Sequence, residues 1–240
     1  MGVVGPPIVL TRGELAEITV TNETHQPTAV HWHGMEVESF YDGVPGWAGS
    51  KGQIASEIAP GGSFIARMRP QRAGTYIYHT HWHDVAQLTS GLYGPLIVLE
   101  PGEKFDPATD KVLLIGRAGP SAYEDPILVN GSAQPDVLAL TAGVRYRFRI
   151  INITPNDSYM IVAMTKDGKP SQWQAIGKDG APLPPAQAVM QDASQVVTVG
   201  ETYDFAFTPP AEGVFELSVA DAPFPPAQKV TQYVTVAAKR

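Results

Sequence analysis

Short stretches of alternating apolar and polar residues run along the whole chain. Apolar side chains at every second position indicate half-buried β-strands, because successive side chains of a strand point to opposite faces. Turns rich in Gly and Pro separate the stretches, and the 23 Gly and 22 Pro favour a β-sandwich over a helical bundle. Only the segment Asp84 to Leu88 is compatible with a short helical turn. The predicted strands are Pro7 to Leu10, Glu14 to Thr21, Ala29 to Met35, Ser63 to Arg69, Thr75 to His81, Leu92 to Leu99, Lys111 to Ile115, Val144 to Ile151, Tyr159 to Met164, Gln195 to Val199, Thr202 to Thr208, Val214 to Ala220 and Gln232 to Ala237.

The strand pattern occurs twice. The interval from Leu10 to Asn22 recurs between Leu140 and Asn152, and that from Gly61 to Gly74 recurs between Gly200 and Gly213. Regularly spaced Gly turns are also common in β-sandwiches, so coincidence is the competing explanation. The simplest interpretation is two similar sandwiches joined near Pro101 to Asp110.

Composition narrows the class of protein. Hydrophobic residues make up 43% of the chain, which is enough for a buried core, and the net charge of -7 argues against a nucleic-acid partner, which would favour a basic face. No apolar stretch reaches the roughly 18 residues of a membrane span, so no membrane association is predicted. The first residues have neither a basic segment nor an apolar run, so no signal peptide is predicted.

Histidine is confined to one part of the sequence. All six His lie between His25 and His83, and five of them form the clusters His31-Trp32-His33-Gly34 and His79-Thr80-His81-Trp82-His83. On a strand, residues two positions apart share a face, so each cluster is predicted to project its imidazoles together. Two such strands side by side would bring the imidazoles within reach of shared metal ions. His25 lies in a polar turn, and a surface position is expected for it.

Imidazoles without a thiolate suit copper, zinc or nickel, and copper is the strongest divalent binder of that series. Zinc stays open at this stage, although the sequence contains no HExxH pattern and no Cys pair. The competing interpretation is that the histidines are incidental members of aromatic-rich core strands. Two HxH clusters in one chain weigh against it. Trp32 and Trp82, which flank the clusters, are expected to pack beside the site.

Several segments have the pattern of one known family, and together they cover most of the chain. They are Val30-His31-Trp32-His33-Gly34-Met35, Gly74-Thr75-Tyr76-Ile77-Tyr78-His79-Thr80-His81, Gly91-Leu92-Tyr93-Gly94-Pro95-Leu96-Ile97-Val98, Asp42-Gly43-Val44-Pro45-Gly46, Ile58-Ala59-Pro60-Gly61, Ile127-Leu128-Val129-Asn130-Gly131 and Arg149-Ile150-Ile151-Asn152. At these residues the chain resembles the multicopper oxidases, including laccases. The resemblance implies an all-β fold of two cupredoxin-like Greek-key β-sandwich domains. We expect a copper-binding domain at residues 1–105 and a second domain without metal ligands at residues 106–240.

The resemblance also implies roles for individual residues. His31 resembles a ligand of the type 2 copper, and His33, His79 and His81 resemble ligands of the paired type 3 coppers of a cluster that reduces dioxygen to water. Asp42 lies where the family often has an acid that delivers protons, although an Asp before Gly is also an ordinary turn residue. His83 departs from the family pattern; it is a candidate fifth ligand, an outer hydrogen-bond donor or a surface residue.

The 240 residues supply only half of the family's ligands. They contain no Cys and no His after His83, so they cannot form a type 1 copper site or the usual set of eight cluster histidines. Two explanations stay open: a second copy completes the cluster, or the missing ligands belong to another oxidase domain. The expected function is therefore a copper-dependent oxidoreductase that uses dioxygen and a small reducing substrate such as a phenol. The alternative is a copper-binding module without turnover. The family resemblance suggests a periplasmic or extracellular location.

Overall fold

The computed structural model describes residues 4–119, 125–155, 159–221 and 228–239. The first three residues, which belong to the segment for which no signal peptide is predicted, lie outside the described ranges. The described part is built from strands. In the first half these are β1 (Ile8–Thr11), β2 (Ala16–Thr21), β3 (Val30–His33), β4 (Gly49–Ser50), β5 (Gln53–Ile54), β6 (Ser63–Met68), β7 (Gly74–Thr80) and β8 (Tyr93–Leu99).

The second half contains more strands than the first. They are β9 (Asp110–Arg117), β10 (Ile127–Val129), β11 (Leu138–Thr141), β12 (Tyr146–Asn152), β13 (Met160–Lys166), β14 (Lys169–Pro170), β15 (Gln172–Lys178), β16 (Ala181–Pro182), β17 (Met190–Asp192), β18 (Ser194–Val197), β19 (Thr202–Phe207), β20 (Gly213–Asp221) and β21 (Lys229–Ala237).

Helix is a minor component, as the sequence predicts. Within the described ranges it is limited to α1 (Asp84–Thr89), at the predicted helical turn, and the 3-10 helix Ser39–Asp42. Neither helix is long and apolar enough to cross a membrane.

The first half packs two sheets against each other. One has the strand order β1-β8-β7-β3, and the other pairs β2 with β6. Strand β2 alternates half-buried and exposed positions, which is the period that an amphipathic strand requires. Its inward side chains join Trp32, Tyr76 and Leu96 in the core between the sheets. The outward face of β3 and β7 therefore carries the histidines.

The second half repeats this arrangement. Its sheet β11-β21-β20-β13 follows the same order and directions as β1-β8-β7-β3, with one parallel pair at the edge and antiparallel pairs after it. The registers agree residue by residue. Leu10 lies opposite Val98, which lies opposite Gly74; the equivalent row in the second half is Leu140, Val236 and Gly213.

The asparagines of the repeated interval confirm that equivalence. The side-chain amide of Asn22 donates to the carbonyl of Ile58, and its side-chain oxygen accepts the backbone N–H of Thr24. The amide of Asn152 donates to Val197 and its oxygen accepts the N–H of Thr154. The regular spacing in the sequence therefore reflects one structural unit used twice, although the domain limits at residues 105 and 106 stay a prediction.

Buried polar contacts hold the two halves together along β7. The hydroxyl of Thr75 donates to Asp204 at 2.7 Å, the hydroxyl of Thr202 donates to the carbonyl of Thr75 at 2.8 Å, and the hydroxyl of Tyr76 donates to the carbonyl of Gly180 at 2.9 Å. Such buried, satisfied hydrogen bonds fix orientation as well as contact. The second half is thereby seated against the strand that carries His79.

Candidate metal centre

The histidines come together because β3 and β7 are antiparallel neighbours in one sheet. His31 lies directly opposite His79 in the register, and Trp32 lies opposite Tyr78. Side chains alternate between the faces of a strand, so His31 and His33 point one way and Trp32 the other. Trp32 is 1% exposed and belongs to the core of the first sandwich. The expected packing role of Trp32 therefore agrees with its position.

Four imidazoles form a compact group. The ring centroid of His31 is 5.5 Å from that of His33, 5.3 Å from that of His79 and 5.6 Å from that of His81. One ring nitrogen from each of His31, His33 and His79 lies within 4.8 Å of the other two. The nearest pair is Nε2 of His79 and Nδ1 of His33, at 3.4 Å. Three nitrogens this close can bind shared ions with little rearrangement.

Two of the imidazoles are oriented by backbone carbonyls. Nδ1 of His79 is 2.7 Å from the carbonyl oxygen of Thr80, and Nδ1 of His31 is 3.2 Å from the carbonyl oxygen of Asp42. A carbonyl oxygen can only accept, so each Nδ1 carries the proton and each Nε2 keeps its lone pair for a metal. A histidine that binds a metal through one ring nitrogen commonly donates a hydrogen bond from the N–H of the other ring nitrogen.

Asp42 reaches His31 through a close approach of two backbone segments. Its carboxylate oxygen is 3.2 Å from Nδ1 of His31, so this N–H faces both the carbonyl and the carboxylate of Asp42. Gly43 ends the 3-10 helix with φ of 78°, and a Cβ there would lie 2.0 Å from the carbonyl oxygen of Val30. Only glycine lets this turn lie against β3, which explains the Asp-Gly pair in physical terms.

Burial keeps the central imidazoles neutral. His79 is 9% exposed, and burial lowers its pKa from 6.5 to about 3, because the charged form loses water; the neighbouring imidazoles lower it further, and a hydrogen bond to Thr80 opposes the change. Burial also lowers the pKa of His33, with a second contribution from His31. A neutral imidazole has a free lone pair, so no proton competes with a metal at these two positions near neutral pH.

The second half forms one wall of the histidine site, which the sequence did not reveal. A cavity of about 440 Å³ is lined by four histidines and α1 on one side and by Ile153, Thr154, Pro155, Val199 and Gly200 on the other. A Cβ on Gly200 would lie 2.9 Å from two ring atoms of His33, so the glycine is in direct contact with that imidazole. The described residues of the second half thus shape the cavity, and none of them belongs to the group of close ring nitrogens.

The remaining histidines differ in position. Strand β7 ends at Thr80, one residue before the predicted strand end, so His81 directly follows it. The ring of His81 stacks on that of His79, with 6.1 Å between the ring centroids. His83 is exposed, lies against the Trp82 ring at 5.5 Å, and lines a different cavity. Its assignment as a ligand stays a prediction. His25 is exposed in its polar loop, as expected.

The donor set fits copper. Three imidazoles converge on one point, two of them with an acceptor at Nδ1 that leaves Nε2 for a metal, and no thiolate is present. Fold and site together define an all-β sandwich protein with a candidate imidazole metal site.

Comparisons with known proteins identify the family. A multicopper oxidase family model matches residues 2–103. The laccase of Arthroderma benhamiae is 30% identical over 199 residues, which cover 72% of this chain and 29% of that laccase. The laccase of Neurospora crassa is 29% identical over 229 residues, which cover 84% of this chain and 34% of the laccase. A crystal structure of a multicopper oxidase matches with a TM-score of 0.80 at 21% identity, covering 98% of this chain and 79% of that one.

The chain therefore belongs to the multicopper oxidase family, whose members bind copper. The prediction of cupredoxin-like Greek-key sandwiches is confirmed by the same structural likeness. The chain spans about a third of the length of the two laccases.

Proposed function

We propose that the protein binds copper through His31, His33, His79 and His81 and contributes half of a cluster that reduces dioxygen with electrons from small phenol-like donors. The observation that carries the proposal is the convergence of ring nitrogens from His31, His33 and His79 within 4.8 Å. The orientation of two of these rings by carbonyl oxygens supports it, because free Nε2 atoms then face the cavity.

Copper held at this site supplies one-electron redox chemistry and a place for dioxygen. The residues of the chain position it and handle protons. The imidazoles of His33 and His79 stay neutral, and the wall from the second half excludes bulk water from one side. Asp42 is half-buried, and its carboxylate Oδ1 faces the N–H of His31 Nδ1, so it is the candidate for handling protons beside the site.

The overall reaction consumes four phenols and one dioxygen and yields four phenoxyl radicals and two waters. Each phenol loses one electron and its hydroxyl proton, and these four protons and four electrons convert dioxygen to water. The 240 residues contain no Cys for a type 1 copper, so in a cluster built from two copies of this chain the donor would have to reach the cluster directly.

The other half of the cluster must come from outside these residues. A second copy can supply it if two histidine faces meet across a two-fold axis, because such an interface is isologous. Another oxidase domain can supply it instead. Either partner would cover the open side of the histidine cavity.

Native mass spectrometry after anaerobic copper loading and removal of excess metal tests the assembly. An oligomer with about three coppers per paired site would support completion by a second copy. A monomer with one or two coppers would support completion by another domain. A chain that retains no copper would contradict the proposal.

Oxygen uptake with a chromogenic phenol tests the activity. His31→Ala and His81→Ala should abolish the copper-dependent rate, whereas His25→Ala, which changes an exposed histidine outside the site, should not. A rate equal to that of copper salt alone would contradict the oxidase function.

A copper-binding module without turnover is the second candidate. The half ligand set and the absence of Cys favour it. Tight copper binding together with no oxygen uptake in any assembly would establish this alternative.

A further inference from the structure

A second cavity adjoins the histidine site and differs from it in chemistry. We name it the tryptophan cavity; it has a volume of about 290 Å³, and its walls include Val44, Pro45, Trp47, His81, Trp82 and His83. We propose that the tryptophan cavity binds the aromatic ring of the phenol-like donor. The inference rests on the proposed function, because it assigns the place from which the donor delivers its electron.

The side chain of Trp47 is exposed to solvent, but the turn that carries it is ordered. It is 88% exposed, although an indole is among the largest apolar groups a protein can leave in water. Its turn is fixed by backbone hydrogen bonds from Gly46 to Ala55 and from Ala48 to Val44, both at 2.9 Å, and from Ala55 to Ala48 at 2.7 Å. An exposed flat ring on an ordered turn at the rim of a cavity is suited to stacking on a planar ligand.

The opposite wall combines an aromatic ring with polar groups. The rings of Trp82 and His83 meet edge to face at 5.5 Å. His83 has φ of 48°, a conformation uncommon outside glycine, and its carbonyl accepts the N–H of Gln87 at the start of α1. The imidazole of His83 and the carboxylate of Asp84 thus border the same space. An aromatic ring with a hydroxyl group matches this mixture of apolar faces and hydrogen-bonding groups.

The tryptophan cavity shares a wall with the metal centre. His81 and Asp84 line both cavities, and the ring of His81 is 5.6 Å from that of His31. A donor in the tryptophan cavity would therefore lie against His81, which is itself one of the proposed ligands. The volume of about 290 Å³ is sufficient for an aromatic ring.

The test uses the copper-free protein, so binding is measured without oxidation. 4-Methylphenol is titrated while the tryptophan indole N–H resonances are followed by NMR. The resonances of Trp47 and Trp82 should shift saturably, whereas that of Trp173, which is fully buried in the second sandwich, should not. Trp47→Ala should weaken binding about 3- to 10-fold, Trp47→Phe should restore most of the affinity, and Tyr233→Ala, which removes another exposed aromatic ring, should change nothing.

Absence of a saturable shift at Trp47, or equal affinities of the Trp47→Ala and Tyr233→Ala proteins, would overturn the inference. Copper binding is measured separately on the same proteins. If copper binds and 4-methylphenol does not, only the tryptophan cavity is rejected. If copper does not bind, the proposed function fails, and the titration still decides whether the cavity takes an aromatic ring.

Discussion

The two halves of the molecule use the same strand pairing for different purposes. In the first half, the pair His31 and His79 lies across β3 and β7. In the second half, the equivalent strands are β13 and β20, and the cross-strand pair at the matching position is Ala163 and Ser218. The pairing persists without the histidines, so the fold does not depend on them. The candidate metal site is a set of side chains carried by one of two copies of a shared framework.

The two halves differ in the contacts around this position as well as in the candidate ligands. Strand β7 ends at Thr80, whereas β20 continues through Ala220 to Asp221 in regular pairing. The first half also brings the Asp42 turn against His31. The two sandwiches thus differ in the length of this strand and in the approaching turn as well as in the histidines.

Replacing His79 with the residue of the other half gives the largest expected effect. His79→Ser removes the central ligand, and we expect copper affinity to fall by at least about 100-fold, because loss of outer groups alone costs about 10- to 100-fold. A competitive copper titration measures it. Ser218→Ala, at the equivalent position of the second half, is the control. Unchanged affinity in His79→Ser would break the comparison between the halves.

Asp42→Asn separates proton handling from metal binding. The amide keeps an acceptor for Nδ1 of His31 but cannot cycle a proton, so oxygen uptake should fall about 100-fold while copper affinity changes only a few-fold. Rates and copper titrations on the same preparation measure both. Equal losses in rate and affinity would show that Asp42 only positions His31.

The stability of the copper-free protein should depend on pH through His79. Its pKa is 6.5 in the unfolded chain and about 3 when folded, so the unfolded state binds a proton first and stability is lost as the pH falls from 6.5 towards 3. As the pH falls from about 7.5 to 5, this effect should lower the free energy of unfolding by ~2 kcal/mol. Urea unfolding should show that His79→Ser loses less stability over this interval. If His79→Ser and the unaltered protein lost the same stability over this interval, the assignment of the pH dependence to His79 would be contradicted.

Gly43→Ala probes the turn that the second half lacks. Gly43 and Gly52 both have φ of 78°, but a Cβ on Gly43 would collide with the carbonyl of Val30, whereas a Cβ on Gly52 would meet nothing within 4 Å. Gly43→Ala should therefore cost about 1 kcal/mol more unfolding free energy than Gly52→Ala. It should also weaken copper binding, because Asp42 moves with the turn. Equal losses of unfolding free energy in Gly43→Ala and Gly52→Ala would show that the turn at Gly43 does not pack tightly against Val30.

Sequence patterns predicted the strands that alternate strongly and the candidate ligands, because both depend on local periodicity. Strand β15 was missed, although it lies inside the largest sheet, because its buried positions include the small residues Ala175 and Gly177 and only Trp173 is large. Strand β11 was missed despite its equivalence to β1. In both cases the local apolar pattern was insufficient to predict the strand, and hydrogen-bonded pairing with neighbouring strands accounts for its formation.

Contacts between distant segments could not be predicted from local patterns. The approach of Gly200 to His33 and the wall from Ile153 to Pro155 depend on how the two halves pack. The tryptophan cavity likewise requires the turn at Trp47 and the loop at His83 to meet. The spacing of HxH identified candidate ligands, whereas three-dimensional packing defined the space around them.

X-ray absorption at the copper edge is the most direct test of the central claim that these imidazoles hold copper. The copper-loaded protein should show multiple scattering from several imidazoles and no sulfur ligand, and the His79→Ser protein should lose much of this pattern while the His25→Ala protein keeps it. A shell of oxygen ligands alone, or a spectrum that His79→Ser leaves unchanged, would contradict the account.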